Sequence, residues 1–172
     1  MSASTMAELR RRRDAVDRAD IVEVRLDGVA GVDVAGALAG RRKPVVVTCR
    51  PSWDGGRFEG PEEVRLGLLA EAVRLGADYV DVEHAADWRR VPRAEGTALI
   101  LSLHDWRGVA PDLADRVRQM RQAGPDVVKV AVTAARLTDC LALRTACAGS
   151  GATVAIAMGI RGQITRICPW KF

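Results

Sequence analysis

Six short β-branched runs split their side chains into one apolar face and one polar face, and that split limits what the chain can fold into. The runs are DIVEVRLD (20–27), PVVVTCR (44–50), DYVDVE (78–83), ALILSLHD (98–105), DVVKVAVT (126–133) and TVAIAMG (153–159). Successive side chains on a strand point to opposite faces. Val22, Val24 and Leu26 therefore oppose Glu23, Arg25 and Asp27, and Val45, Val47 and Cys49 oppose Thr48 and Arg50. Val80 and Val82 oppose Tyr79, Asp81 and Glu83, and Leu99, Leu101 and Leu103 oppose Ser102 and His104. Val128, Val130 and Val132 oppose Lys129 and Thr133. Helix-like segments between most runs predict a parallel sheet with crossover connections. A doubly wound sheet, with helices on both sides, would be apolar on both faces. A polar face lying mostly toward the C-terminal strand ends instead predicts an α/β barrel with its site at that end.

The clearest helix is GPEEVRLGLLAEAVRLG (60–76). Pro61 suits the first helical position, Glu62 and Glu63 suit the positive end of the dipole, and Gly76 suits the stop. Val64, Leu68, Ala72 and Leu75 are expected to form its apolar stripe. PDLADRVRQMRQAG (111–124) repeats the arrangement, and a helix after Arg136 ends at Gly149 and Gly151.

With 172 residues, 48% apolar and 28% charged, the chain reads as a single domain over 1–172. No apolar run reaches the ~18 residues of a membrane span. The start, MSASTMAELRRRRDAV, lacks the apolar centre of a secretory signal, so a cytoplasmic protein is expected. Cys49, Cys140, Cys147 and Cys168 form no CxxC pair and no zinc spacing, and read as buried free thiols. The pI of 9.2 and the run Arg10 to Arg13 raise nucleic acid as a partner. A net charge of only +4, 4% aromatics and the lack of a stacking or groove-reading motif argue against it. The four arginines are expected to be the solvated face of the first helix.

Of the 26 basic residues all but Lys43, Lys129 and Lys171 are arginine, yet a lysine stands in the middle of the apolar run DVVKVAVT. Where only a cation is needed, arginine pairs more strongly. An amine offers what guanidinium does not, nucleophilic attack on a carbonyl to give an imine. His104 ends the neighbouring strand and could take and return a proton. Asp27, Asp81 and Glu83 taken singly also fit structural ion pairs of a barrel interior, and His84 fits the surface.

The blocks EVRLD, TCRPSWDGGRFEGPEEVRLGLLAEAVRLGADYVDVE, LSLHD, DVVKVAVTA and MGIRGQITR, in this order, resemble type I 3-dehydroquinate dehydratase. The second block is especially close to the plant-type dehydratase module. The resemblance runs from about Met6 to the C-terminus. It implies a lyase that converts 3-dehydroquinate to 3-dehydroshikimate with no metal or organic cofactor, and with that small molecule as its partner. It implies a Schiff base at Lys129, proton transfer by His104, and an acid at Asp54 that orients the histidine. Substrate contacts carry over onto Glu23, Arg25, Arg50 and Arg166.

Three departures accompany the resemblance. Asp54 stands where the family usually has glutamate. The chain opens at a helix rather than the preceding strand, and it stops before the last strand and the lid segment with its serine and glutamine. The expected fold is thus an incomplete (β/α)8 TIM-type barrel of about six strand–helix units, the second to the seventh strands, against ~250 residues for eight units. The helix-side residues Val22, Val24, Val154 and Ile156 are then expected to lose part of their cover, favouring a homo-oligomer. Other readings are a non-catalytic remnant of the family, another Schiff-base barrel such as a class I aldolase, or a basic nucleic-acid binder.

Overall fold

All six runs form strands in the computed structural model, which describes residues 2–172. These are β1 (Val22–Arg25), β2 (Val45–Thr48), β3 (Tyr79–Glu83), β4 (Ala98–Asp105), β5 (Val127–Thr133) and β6 (Ala152–Met158). The helices are α1 (Met6–Asp14), α2 (Val34–Leu38), α3 (Glu62–Arg74), α4 (Leu113–Gln122), α5 (Thr138–Cys147) and α6 (Ile164–Ile167). Between β3 and β4 a single 3₁₀ turn, Trp88–Arg90, replaces an α-helix. The chain divides into two compact units, 1–99 and 100–172.

In the first unit β1, β2 and β3 pair in parallel, with Val24 opposite Val47 and Val47 opposite Val80. β4 starts in this unit, where the Ala98 N–H donates to the Asp78 carbonyl at 2.9 Å. The three valines bury one face of the sheet with Leu9, Leu38, Leu66 and Leu69 from the helices, each such side chain contributing about 1.5–3 kcal/mol on burial. Val22 and Val24 are accordingly buried, contrary to the expectation that they lose cover. Val24 packs in the same cluster as Leu9 of α1 and Leu38 of α2.

α1 begins where Thr5 Oγ1 accepts the Glu8 N–H at 3.2 Å, a side-chain cap for an otherwise orphan donor. Its arginine run departs from the fully solvated face expected from sequence. Arg13 is buried, donating to the Ala37 carbonyl at 2.6 Å and the Ala39 carbonyl at 2.8 Å. The last carbonyls of a short helix such as α2 lack internal partners, and Arg13 supplies them.

α3 stops before Gly76, whose φ of +74° is left-handed. Its buried stripe, however, is Arg65, Leu66, Leu69, Ala72 and Val73. Val64 and Leu75 are 50% and 43% exposed. The apolar sequence supports two overlapping stripes, and the chosen one contains Arg65 because carboxylates await it in the core.

In the second unit β4, β5 and β6 are parallel, with Leu103 opposite Val130 and Val130 opposite Ala155. α4 buries Leu113, Val117 and Met120, and α5 buries Cys140, Leu143 and Cys147, both at helical spacing. The register overturns the expected facing of β6. Ala155 and Ala157 share the side of Val130 and Val132, whereas Val154 and Ile156 share the side of Lys129 and Ala131. The helix-facing side needs small residues because the chain folds back onto it: a Cβ on Gly162 would lie 2.1 Å from the Ala157 carbonyl oxygen. Val154 is 40% exposed and Ile156 half-buried, but on the lysine face rather than the helix face.

The corrected α3 stripe is testable by urea denaturation. Leu69→Ala should destabilise by about 2–5 kcal/mol, whereas Val64→Ala should stay within about 0.5 kcal/mol. The reverse order would restore the stripe read from sequence. The thiols supply a second check. Burial pushes Cys49 up to about 12 and Cys147 up to about 11. A thiol reagent at pH 8 should therefore label half-buried Cys168 in the native protein and reach Cys49 and Cys147 only after unfolding.

Candidate active site

The first unit carries Glu23, Arg25, Arg50 and Asp54. Register sets Glu23, Val46 and Tyr79 in one row across β1, β2 and β3, and Arg25, Thr48 and Asp81 in the next. Glu23 Oε1 accepts from Thr48 Oγ1 at 2.7 Å. Arg25 makes a two-pronged pair with Asp27, Nε to Oδ1 at 2.7 Å and Nη2 to Oδ2 at 2.8 Å. Burial works to raise the Asp27 pKa, but the Arg25 pair and backbone donors outweigh it and leave the carboxyl lowered.

Arg50 follows β2 and is the hub of the unit. Its side chain is 4% exposed and faces three carboxylates. Nη1 lies 2.7 Å from Glu83 Oε1 and 3.2 Å from Asp54 Oδ2, and Nη2 lies 2.9 Å from Asp81 Oδ1. Burial opposes its charge, yet Asp81, Glu83 and Asp54 more than offset that and raise its pKa. Glu83 is pushed the other way: burial raises its pKa although Arg50 and Arg65 pull it down. The hub needs a close turn, since a Cβ on Gly56 would sit 2.0 Å from the Arg50 carbonyl oxygen.

Arg65 completes the cage. Its Nη1 lies 2.6 Å from Glu83 Oε2 and donates to the Cys49 carbonyl at 2.8 Å. Nε and Nη2 grip both oxygens of Glu62 at 2.8 and 2.6 Å. Sequence reasoning missed this residue, although a signal existed: Arg65 precedes Leu69 and Ala72 by four and seven positions, on their helix face.

The second unit carries His104, Lys129 and Arg166. On β4, β5 and β6 the rows read Ser102, Lys129, Val154 and then His104, Ala131, Ile156, followed by Thr133 and Met158 on β5 and β6. Strand spacing and rise put the His104 and Lys129 Cα atoms roughly 8 Å apart on one face. Both side chains are half-buried, so Lys129 is less enclosed than its apolar run suggests. The indole of Trp106 stacks beside the His104 imidazole, with centroids 6.3 Å apart and planes at 17°. Trp106 was not singled out from sequence, where its place two residues past the histidine is the available cue. Arg166 lies on α6, exposed, with Nη1 donating to the Ala157 carbonyl at 3.3 Å. His84 is half-buried just past β3 rather than fully at the surface.

Among the described residues no group of three or more His, Cys, Asp or Glu side chains is arranged to hold a metal ion. Among the same described residues no helix is long and apolar enough to cross a membrane.

A family model for type I 3-dehydroquinase matches residues 1–172. The 3-dehydroquinate dehydratase of Desulfotalea psychrophila is 37% identical over 161 residues, 87% of this chain and 71% of that protein. The chloroplastic bifunctional 3-dehydroquinate dehydratase/shikimate dehydrogenase of Arabidopsis thaliana is 32% identical over 90% of this chain and 28% of that protein. The structure of 3-dehydroquinate dehydratase from Enterococcus faecalis superposes with a TM-score of 0.82 at 26% identity, covering 98% of this chain and 81% of that one. The fold is accordingly α/β, of the (β/α)8 barrel type, with six strands of that plan present. Taken with strands that carry a lysine and a histidine on one face, these matches establish that the chain belongs to the type I 3-dehydroquinase family.

Proposed function

We propose that the chain is a cytoplasmic enzyme that dehydrates 3-dehydroquinate to 3-dehydroshikimate through an imine on Lys129, with a small molecule rather than nucleic acid or a membrane as its partner. The observation that carries the reading is the pairing of β4 with β5, which puts Ser102 beside Lys129 and His104 one row further along the same face. The lysine amine attacks the ring ketone, and the resulting carbinolamine takes up one proton and loses water to give the protonated imine, the proton being returned when the imine is hydrolysed. That cation is an electron sink, so the adjacent C2 proton becomes acidic enough for His104 to remove, leaving an enamine. The enamine then expels the C1 hydroxyl, which leaves as water with the proton His104 returns. A second water hydrolyses the imine, releasing product and regenerating the amine.

Asp54 is assigned to orient His104, and Glu23, Arg25, Arg50 and Arg166 to hold the substrate. An exposed guanidinium such as that of Arg166 suits a two-pronged contact with the substrate carboxylate. Arg50 differs, because both its Nη nitrogens already face carboxylates. Its contribution runs through the place it gives Asp54 as well as through any contact of its own.

Borohydride added with 3-dehydroquinate should trap an adduct on the peptide bearing Lys129, and Lys129→Arg should abolish it. Mass-spectrometric location of the adduct at Lys43 or Lys171 would overturn the assignment. His104→Ala should still be trapped while losing turnover by about 10²–10⁴. Asp54→Glu should turn over at least as fast as the parent, and a large loss would mean that Asp54 does not orient the histidine.

A further inference from the structure

The proposed chemistry gives Arg65 nothing to do, yet its side chain is fully buried and its guanidinium meets three separate groups, Glu62 and the Cys49 carbonyl through hydrogen bonds and Glu83 as an ion pair. Two of these bear directly on Arg50. The Cys49 carbonyl, accepting at 2.8 Å, belongs to the peptide just before Arg50. Glu83, whose Oε2 lies 2.6 Å from Arg65 Nη1, uses its other oxygen, Oε1, to hold Arg50 Nη1 at 2.7 Å. Arg65 thus grips Arg50 from both ends, by its backbone and, through Glu83, by its guanidinium. The third acceptor, Glu62, is one turn earlier on α3 and fixes the fork itself.

The grip extends one residue further. Arg50 Nη1 is shared between Glu83 Oε1 and Asp54 Oδ2, the latter at 3.2 Å. Two carboxylates contend for one nitrogen, and the share that Asp54 receives depends on how much of the Glu83 charge Arg65 already answers. Stability alone does not call for this design, because buried ion networks are often no more stabilising than apolar side chains of the same volume. What a fork of five donors supplies is geometry, and a lysine could not span Glu62, the Cys49 carbonyl and Glu83 together.

We propose that Arg65 is a positioning residue: through the Cys49 carbonyl and Glu83 it sets the place of Arg50, and through the shared Nη1 nitrogen that of Asp54. This rests on Asp54 orienting His104 in the proposed reaction. Arg65 touches no reacting atom in that reaction, and its loss should slow proton transfer while leaving imine formation intact.

The test compares Arg65→Lys, Arg65→Met, Glu83→Gln and the Arg65→Met/Glu83→Gln double variant in the full chain, measuring kcat, KM, borohydride trapping with 3-dehydroquinate, and thermal melting. Arg65→Lys should lower kcat about tenfold, in line with the cost of a sub-ångström to ångström displacement, with KM within about threefold and trapping unchanged. Arg65→Met should lose more. In the Glu83→Gln background Arg65→Met should cost less in kcat than it does in the parent, because only the Cys49 carbonyl arm is then left to lose. Should Arg65→Met alone not fold, the lysine variant and the double variant carry the same comparison. Parental kcat in Arg65→Lys would overturn the proposal. So would losses of kcat and trapping that fall together with melting temperature, or equal losses from Arg65→Met with and without Glu83. Parental protein that traps nothing at Lys129 would instead overturn the imine reading, so the two failures are distinguishable.

Discussion

Two guanidinium groups, those of Arg50 and Arg65, are packed against the carboxylates of Asp81 and Glu83 with almost no solvent around them. Much of the first unit follows from keeping that cluster neutral enough to bury. Removing one member of such a cluster and leaving the others costs about 3–5 kcal/mol, so the elements that deliver the members are tied to one another. β2 must turn sharply after Arg50, β3 must end on an acid, and α3 must roll so that a cation faces inward. The exposed positions of Val64 and Leu75 are the other side of that roll.

The second unit relies on register rather than charge. A parallel ladder sets which side chains share a row, and a slip by one residue would send Lys129 to the helix side. The small helix-facing residues of β6, Ala155 and Ala157, let the Ile160–Gly162 turn and α6 press onto that strand. Thr165 stitches the contact, its Oγ1 accepting the Ala157 N–H at 3.1 Å and donating to the Gly162 carbonyl at 2.9 Å. The lysine face of β6 is left with the bulkier Val154, Ile156 and Met158.

Alternation of apolar and polar side chains made the six strands and most of their facing legible from sequence, because a strand with one covered face has few ways to sit. It failed for β6, where valine and isoleucine looked like the covered side and alanine did not. Hydropathy ranks alanine low, but a close crossing ranks it high, and the crossing is a tertiary fact. The same limit hid Arg65 and Arg13, which hydropathy assigns to solvent and which buried carboxylates and helix-end carbonyls draw inward. Lys129, His104 and Arg50 were legible in the sequence as candidate site residues, and Asp54 was so only through the family resemblance. That Arg50 would meet three carboxylates was not, since Asp54, Asp81 and Glu83 lie up to 33 positions away along the chain.

Gly56 and Gly162 each occupy a spot where even a methyl group would enter the van der Waals radius of a backbone carbonyl, at 2.0 and 2.1 Å. Any change at the first or second base of a glycine codon adds a side chain at least that large or ends the chain. Apart from silent third-base changes, neither position therefore has a one-step replacement in the genetic code that leaves the turn undisturbed. Drift can pass through the exposed stripe of α3, but at these two turns it meets a wall, and a lineage can leave them only after the opposing backbone has already moved.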